Sequence, residues 1–74
     1  MGLMTDTEIL YRVVQELNGA DSALLEKRTG FTNAKLTELA ELLIAQGKPV
    51  APLFDTDGGG KSLAYIQLYA EEPA

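Results

Sequence analysis

Gly60, Lys61 and Ser62 form a short stretch whose residue types could bind a phosphate group. They match the end of a phosphate-binding loop, in which glycine amides and a lysine surround the phosphate oxygens. The first glycine of that motif would stand at position 55, where this chain has Asp55. The motif also needs a helix directly after it, because the helix N-terminus binds the anion, whereas the following residues alternate as a strand does. The spacing therefore favours a turn over a phosphate site.

The same loop carries part of a calcium-binding pattern. Asp55, Asp57 and Gly60 have the spacing of the first ligands and the glycine of a calcium loop. The glutamate that closes such a loop would fall at Ile66, which supplies no oxygen ligand. This pattern also favours a turn, and we expect no metal site.

Histidine and cysteine are both absent from the 74-residue chain. Histidine is the commonest general base, and the two residue types supply most zinc ligands. The carboxylates, hydroxyls and lysines that remain do not pair at a spacing diagnostic of catalysis. We therefore expect a protein that is not an enzyme and that uses no cofactor.

The composition is that of one small folded domain. Hydrophobic residues make up 46% of the chain and charged residues 23%, both ordinary for a soluble domain. No apolar run reaches the roughly 18 residues that a membrane span needs. Residues 1–8 lack the pattern of a secretory signal. We expect a single domain over residues 1–74, with its ordered core at about residues 5–70, in the cytoplasm.

Two helices are predicted in the first part of the chain. The first covers residues 6–17 and begins with a capping box formed by Thr5 and Glu8. The second begins after Asp21, which is the expected N-cap residue, and ends at Gly30.

A third predicted helix, residues 32–46, is the most apolar. Thr32 is its expected N-cap residue, and Gly47 followed by Pro49 ends it. Apolar residues cover more than half of its circumference. They are Leu36, Leu39, Ala40, Leu42, Leu43 and Ile44.

The rest of the chain predicts a two-stranded hairpin. Residues 50–54 form the first strand, and Pro52 places it at a sheet edge because proline has no N–H to donate. Residues 55–62 form the connecting loop, residues 63–69 form the second strand, and residues 71–74 are expected to fray. The alternation of the second strand predicts two faces, one with Ala64, Ile66 and Leu68 and the other with Leu63, Tyr65, Gln67 and Tyr69.

Three helices followed by a hairpin is the element order of a winged helix-turn-helix domain, and the chain resembles that family over about residues 6–69. Residues 25–32 are similar to the end of the second helix and the turn of the motif, with Gly30 at the turn. The apolar spacing of the third helix, which runs into Val50, is similar to that of a recognition helix leading into a wing. The glycines at 58–60 fall where the wing tip would be. The resemblance implies an α+β fold with three helices and a two-stranded wing.

The resemblance also implies a small DNA-binding transcriptional regulator, with helix 32–46 in the major groove and loop 55–62 as the wing. In that arrangement Asn33 would read an adenine edge, and Lys35 a guanine edge or a phosphate. A homodimer would match two half-sites on duplex DNA. The residues implied to contact DNA are Lys27, Arg28, Thr32, Asn33, Lys35, Thr37, Lys48 and Lys61.

The acidic charge supports a different ligand. The net charge is −5, whereas nucleic-acid-binding domains are usually basic. Glu38 and Glu41 on the third helix would repel phosphates. The alternative is a winged helix that binds a protein and not DNA, as an accessory subunit or an acidic inhibitor of a basic partner. Its expected partner interface consists of Leu39, Leu42, Tyr65 and Tyr69, because aromatic residues are favoured in such surfaces.

Overall fold

The structure, a computed structural model, describes residues 4–56 and 58–69. Asp57 of the predicted loop and the predicted tail at 71–74 lie outside these residues. Among the described residues, no helix combines the length and the apolar composition that crossing a membrane requires.

Each helix begins directly after its predicted N-cap residue. Their bounds are Asp6–Leu17 for α1, Ser22–Thr29 for α2 and Asn33–Ala45 for α3. The residue before each helix, Thr5, Asp21 or Thr32, accepts a hydrogen bond from a backbone N–H of the first turn. Each bond satisfies a donor that a helix start leaves unpaired. At Thr5 the capping box is complete, since Oε1 of Glu8 accepts from the Thr5 N–H at 2.8 Å.

The sheet has three strands, one more than the predicted hairpin. Their bounds are Ala20–Asp21 for β1, Val50–Asp55 for β2 and Ser62–Leu68 for β3. All pairings are antiparallel and the order is β1-β3-β2. The prediction of a two-stranded sheet was wrong, because a strand of two residues shows no alternation in the sequence. β2 lies at the edge of the sheet, as Pro52 predicts.

A bulge in β3 determines which of its residues face the core. The register shifts so that Phe54 lies opposite Leu63, and Ala64 is left as an extra residue on β3. The predicted alternation placed Leu63 on the opposite face from Ile66, and that prediction was wrong, because both side chains are buried. The extra residue shifts the alternation by one position, so both side chains turn inward.

All three helices pack on the inner face of the sheet and form one apolar core with it. The core residues are Leu10, Val14, Ala20, Leu25, Leu36, Leu39, Ala40, Leu43, Val50, Leu63 and Ile66. The largest share of these residues comes from α3, which contacts both other helices and the sheet. A core of this size leaves only a few kcal/mol of net stability, so single truncations should be measurable.

Two neighbouring leucines of α3, one buried and one exposed, allow this packing to be tested by substitution. Leu43 is 1% exposed and Leu42 is 44% exposed. We expect Leu43→Ala to lower the free energy of unfolding by about 2–5 kcal/mol, because it removes buried methyl groups and leaves a cavity. Leu42→Ala is the matched control and should cost about 1 kcal/mol or less. Urea unfolding followed by circular dichroism measures both, and equal losses would contradict this packing of α3.

Candidate functional site

The side-chain amide of Asn33 joins the first turn of α3 to β3. Its Nδ2 donates to the carbonyl oxygen of Leu63 at 2.9 Å, and its Oδ1 accepts from the Leu63 N–H at 3.3 Å. A side-chain amide carries the same donor and acceptor as a peptide unit. Asn33 therefore pairs with Leu63 as a neighbouring strand would. β1 ends opposite Tyr65, and the amide continues the pairing where β1 has stopped.

Thr37, one turn further along α3, completes this contact. Its hydroxyl accepts from the Leu63 N–H at 2.9 Å and donates to the carbonyl oxygen of Asn33 at 2.9 Å. Thr37 was implied to contact DNA, but it is buried and does not lie on an exposed face of α3. We call Asn33, Thr37 and the backbone of Leu63 the helix–strand junction. Its side chains are engaged within the fold and are not free to contact a base edge.

Lys35, the other predicted base reader, lies between two carboxylates. Its Nζ is 3.4 Å from Oδ2 of Asp6 and 3.5 Å from Oε1 of Glu38. Exposed ion pairs add little stability, but their charged groups set the net charge of the surface around them. One ammonium and two carboxylates leave a net negative charge beside the first turns of α3. A phosphate approaching this surface would be repelled.

Two further lysines of the predicted DNA-contacting set also have partners. Lys61 forms an ion pair with Glu41 on α3, and its Nζ lies 4.7 Å from the centroid of the Phe54 ring. Nζ of Lys48 lies 5.3 Å from the centroid of the Tyr11 ring. Both distances fit cation–π contacts. Since Phe54 packs against the core, Lys61 lies on the helical side of the sheet.

The remaining predicted DNA contacts lie at the turn between α2 and α3. Lys27 and Arg28 are exposed in the last turn of α2, and Nη2 of Arg28 is 3.7 Å from Oε1 of Glu16 on α1. The Thr32 hydroxyl caps α3 by accepting from the Lys35 N–H at 3.2 Å. Most of the predicted DNA contacts therefore already have a partner within the fold.

The outer face of the sheet, opposite the helices, carries an exposed apolar pair. Leu53 on β2 lies directly opposite Tyr65 on β3, and Asp21 on β1 lies opposite Tyr65 from the other side. Residues opposite one another in antiparallel strands share a face, so the three form one row. Leu53 is 63% exposed and Tyr65 is 38% exposed. The residues of this outer sheet face are Asp21, Ala51, Leu53, Asp55, Ser62, Tyr65 and Gln67.

The side chain of Tyr65 reaches Gly19, the residue directly before β1. A Cβ atom added at Gly19 would lie 2.9 Å from the Tyr65 hydroxyl and 3.1 Å from Cβ of Gln67. Gly19 also has a φ of +110°, which L side chains rarely adopt. Glycine is thus required at the start of β1. The carboxylate of Asp21 caps α2, because its Oδ1 accepts from the Leu24 N–H at 2.9 Å.

The predicted partner interface does not form one surface. Tyr65 belongs to the outer sheet face, and Tyr69, just after β3, is 53% exposed. Leu42 is exposed on α3, which packs on the other side of the sheet. Leu39 is only 2% exposed, so its assignment to an interface was wrong. It shares the inward stripe of α3 with Leu36 and the other core residues.

Leu53 is the exposed residue that sequence reasoning missed. The signal was present in β2, where Val50, Pro52 and Phe54 alternate with Ala51 and Leu53. The first set lies opposite the inward residues of β3, and Leu53 is out of phase with it. Alternation in β2 therefore predicts an outward Leu53 once Phe54 is assigned to the core.

Comparison with known proteins identifies no relative, so the function is inferred from the geometry of the surface. No protein-family model matches the chain, and searches of curated proteins and of solved structures found no match. No pocket was found on the surface that residues 4–56 and 58–69 form. Two surfaces remain to be compared as ligand sites, the exposed side of α3 and the outer sheet face.

The helix–strand junction predicts a coupled loss of stability. We expect Asn33→Ala and Thr37→Val each to lower the free energy of unfolding by about 1–3 kcal/mol, because each leaves a peptide group of Leu63 short of a partner. The double variant should lose more than the sum, since each single variant leaves the Leu63 N–H one acceptor and only the double variant removes both. Urea unfolding measures the three values, and hydrogen exchange of the Leu63 amide should accelerate in each variant. Additive losses with unchanged exchange at Leu63 would contradict the junction.

Proposed function

We propose that this chain is a small winged-helix-like domain that binds another protein through its outer sheet face. The observation that carries the proposal is the exposed pair of Leu53 and Tyr65 on a sheet whose other face packs against the core. Contiguous exposed apolar residues mark interaction sites more often than isolated ones do. Tyrosine is also enriched at protein interfaces, because its ring is apolar and its hydroxyl can remain hydrated.

The order of the elements supports the winged-helix part of this proposal. A helix, a short strand, two further helices and a hairpin follow one another, and the last strand lies between the other two. Gly30, with a φ of +80°, makes the tight turn between α2 and α3. Such a fold presents both α3 and the hairpin, and the side chains decide which of them binds a ligand.

Duplex DNA at α3 is the second candidate ligand, in which case the protein would act as a transcriptional regulator. The exposed Lys27 and Arg28 beside the α2–α3 turn favour it, because such residues contact phosphates. The ion pairs on and beside α3 favour a protein ligand. Lys35 lies between two carboxylates, and Lys61 is paired with Glu41. A partner protein at the outer sheet face requires none of these cations to be released.

Site-specific photo-cross-linking tests the proposed function. A benzoyl-phenylalanine placed at Leu53 should form a discrete protein adduct in the cells that produce this chain, because the side chain would be buried against the partner. The same group at Leu24, which is exposed on α2, is the matched control and should give no such adduct. Adding Tyr65→Ser should lower the adduct yield by about fivefold or more, as expected for an aromatic anchor.

The folded state of each variant would be checked by circular dichroism before cross-linking. Equal adducts from positions 53 and 24, or no protein adduct from position 53, would contradict binding through the outer sheet face.

A further inference from the structure

The outer sheet face is acidic as well as apolar. Asp21 lies in the same row as Tyr65 and Leu53, and Asp55 lies at the end of β2 opposite Ser62. Both carboxylates are exposed. None of the residues of the outer sheet face is basic. The negative charge on this face is therefore not compensated by its own side chains.

Four of the six basic residues have contacts on the helical side of the sheet. Lys61 reaches Glu41 and the inward-facing Phe54, and Lys35 reaches Asp6 and Glu38. Arg28 is paired with Glu16, and Lys48 lies over Tyr11. This segregation leaves an apolar sheet face with an acidic margin.

Tyr65 and Asp21 together fit a cationic group. The tyrosine side chain reaches Gly19, just before β1, and Asp21 is the residue of β1 that lies opposite Tyr65 in register. One carboxylate oxygen of Asp21 accepts from the Leu24 N–H, which holds the group in place. An arginine or lysine can lie over an aromatic ring and pair with a neighbouring carboxylate at the same time. Leu53, on the other side of Tyr65, offers an apolar contact for the residue beside that cation.

Resting on the proposed function, we propose that the partner presents a basic segment, with arginine or lysine next to a large apolar residue, to this face. The cation contacts Tyr65 and Asp21, the apolar residue contacts Leu53, and a second basic residue lies near Asp55. A second copy of this chain fits poorly, because the contact would bring Asp21 and Asp55 of both copies together. Each copy also carries a net charge of −5, and like charges across an interface weaken association.

Selection from a random-peptide display library tests the chemistry of the partner. The full chain is immobilised, and peptides that also bind the Leu53→Ser and Tyr65→Ser variants are removed. We expect the remaining peptides to be rich in arginine or lysine next to aliphatic or aromatic residues. Their affinity should fall as salt rises, because exposed ion pairs are screened.

Paired charge variants separate a local effect from the charge of the whole protein. Asp21→Asn with Asp55→Asn removes two negative charges from the outer sheet face, and asparagine still caps α2. Glu16→Gln with Glu38→Gln removes two from the helices and is the matched control. The first pair should raise the Kd of a selected peptide by roughly three- to tenfold. The control should change the Kd by less than about twofold.

The outcomes distinguish this inference from the proposed function. Neutral or acidic peptides that require Leu53 and Tyr65 would overturn the basic partner and leave protein binding in place. Basic peptides that bind all variants equally, or no selected peptides, would overturn both. Equal weakening by the two charge pairs would show a long-range effect and overturn the local contact. A dimer in sedimentation that Leu53→Ser abolishes would assign the face to a second copy and also overturn the inference.

Discussion

Leu63 presents its N–H and C=O on the side of β3 where β1 has already ended, and Asn33 and Thr37 satisfy both groups. A buried peptide group without a partner costs about 1–3 kcal/mol, which is a large part of the stability of a domain this small. The first turns of α3 must therefore face the sheet with their polar residues. The same hydrogen bonds hold the strand at the bulge, where Ala64 interrupts the regular ladder and turns Leu63 into the core.

That requirement divides the molecule into two different surfaces. α3 uses its polar residues to fix the sheet, and Lys35 is neutralised by carboxylates from α1 and from α3 itself. On the outer sheet face, the polar residue with an internal role is Asp21, which caps α2. Leu53 and Tyr65 lie there with acidic residues at the margin, and the pairing of β1 with β3 places Asp21 beside the tyrosine. These side-chain contacts favour the outer sheet face over α3 as the proposed binding surface.

Local signals in the sequence predict most of the fold. The caps at Thr5, Asp21 and Thr32 and the stop at Gly30 are confirmed, because capping depends on residues within one turn of the helix end. β1 and the bulge at Ala64 could not be predicted, since both depend on pairing between distant segments. Asn33 and Thr37 were assigned to a ligand for the same reason. Their partner, Leu63, lies 30 and 26 positions further along the chain, and no local pattern indicates that contact.

We propose that α3 maintains the fold while the outer sheet face binds the ligand. An amide NMR titration of the isotope-labelled chain with a mixed-sequence DNA duplex at low salt tests this division between the two surfaces. We expect no saturable shift of the Asn33 side-chain amide or of the backbone amides of residues 33–38, because Asn33 and Thr37 are bonded to β3 and the carboxylates around Lys35 repel phosphates. Saturable shifts at Asn33 and Lys35, with the resonances of Leu53 and Tyr65 unchanged, would contradict it and would identify α3 as a DNA-recognition helix.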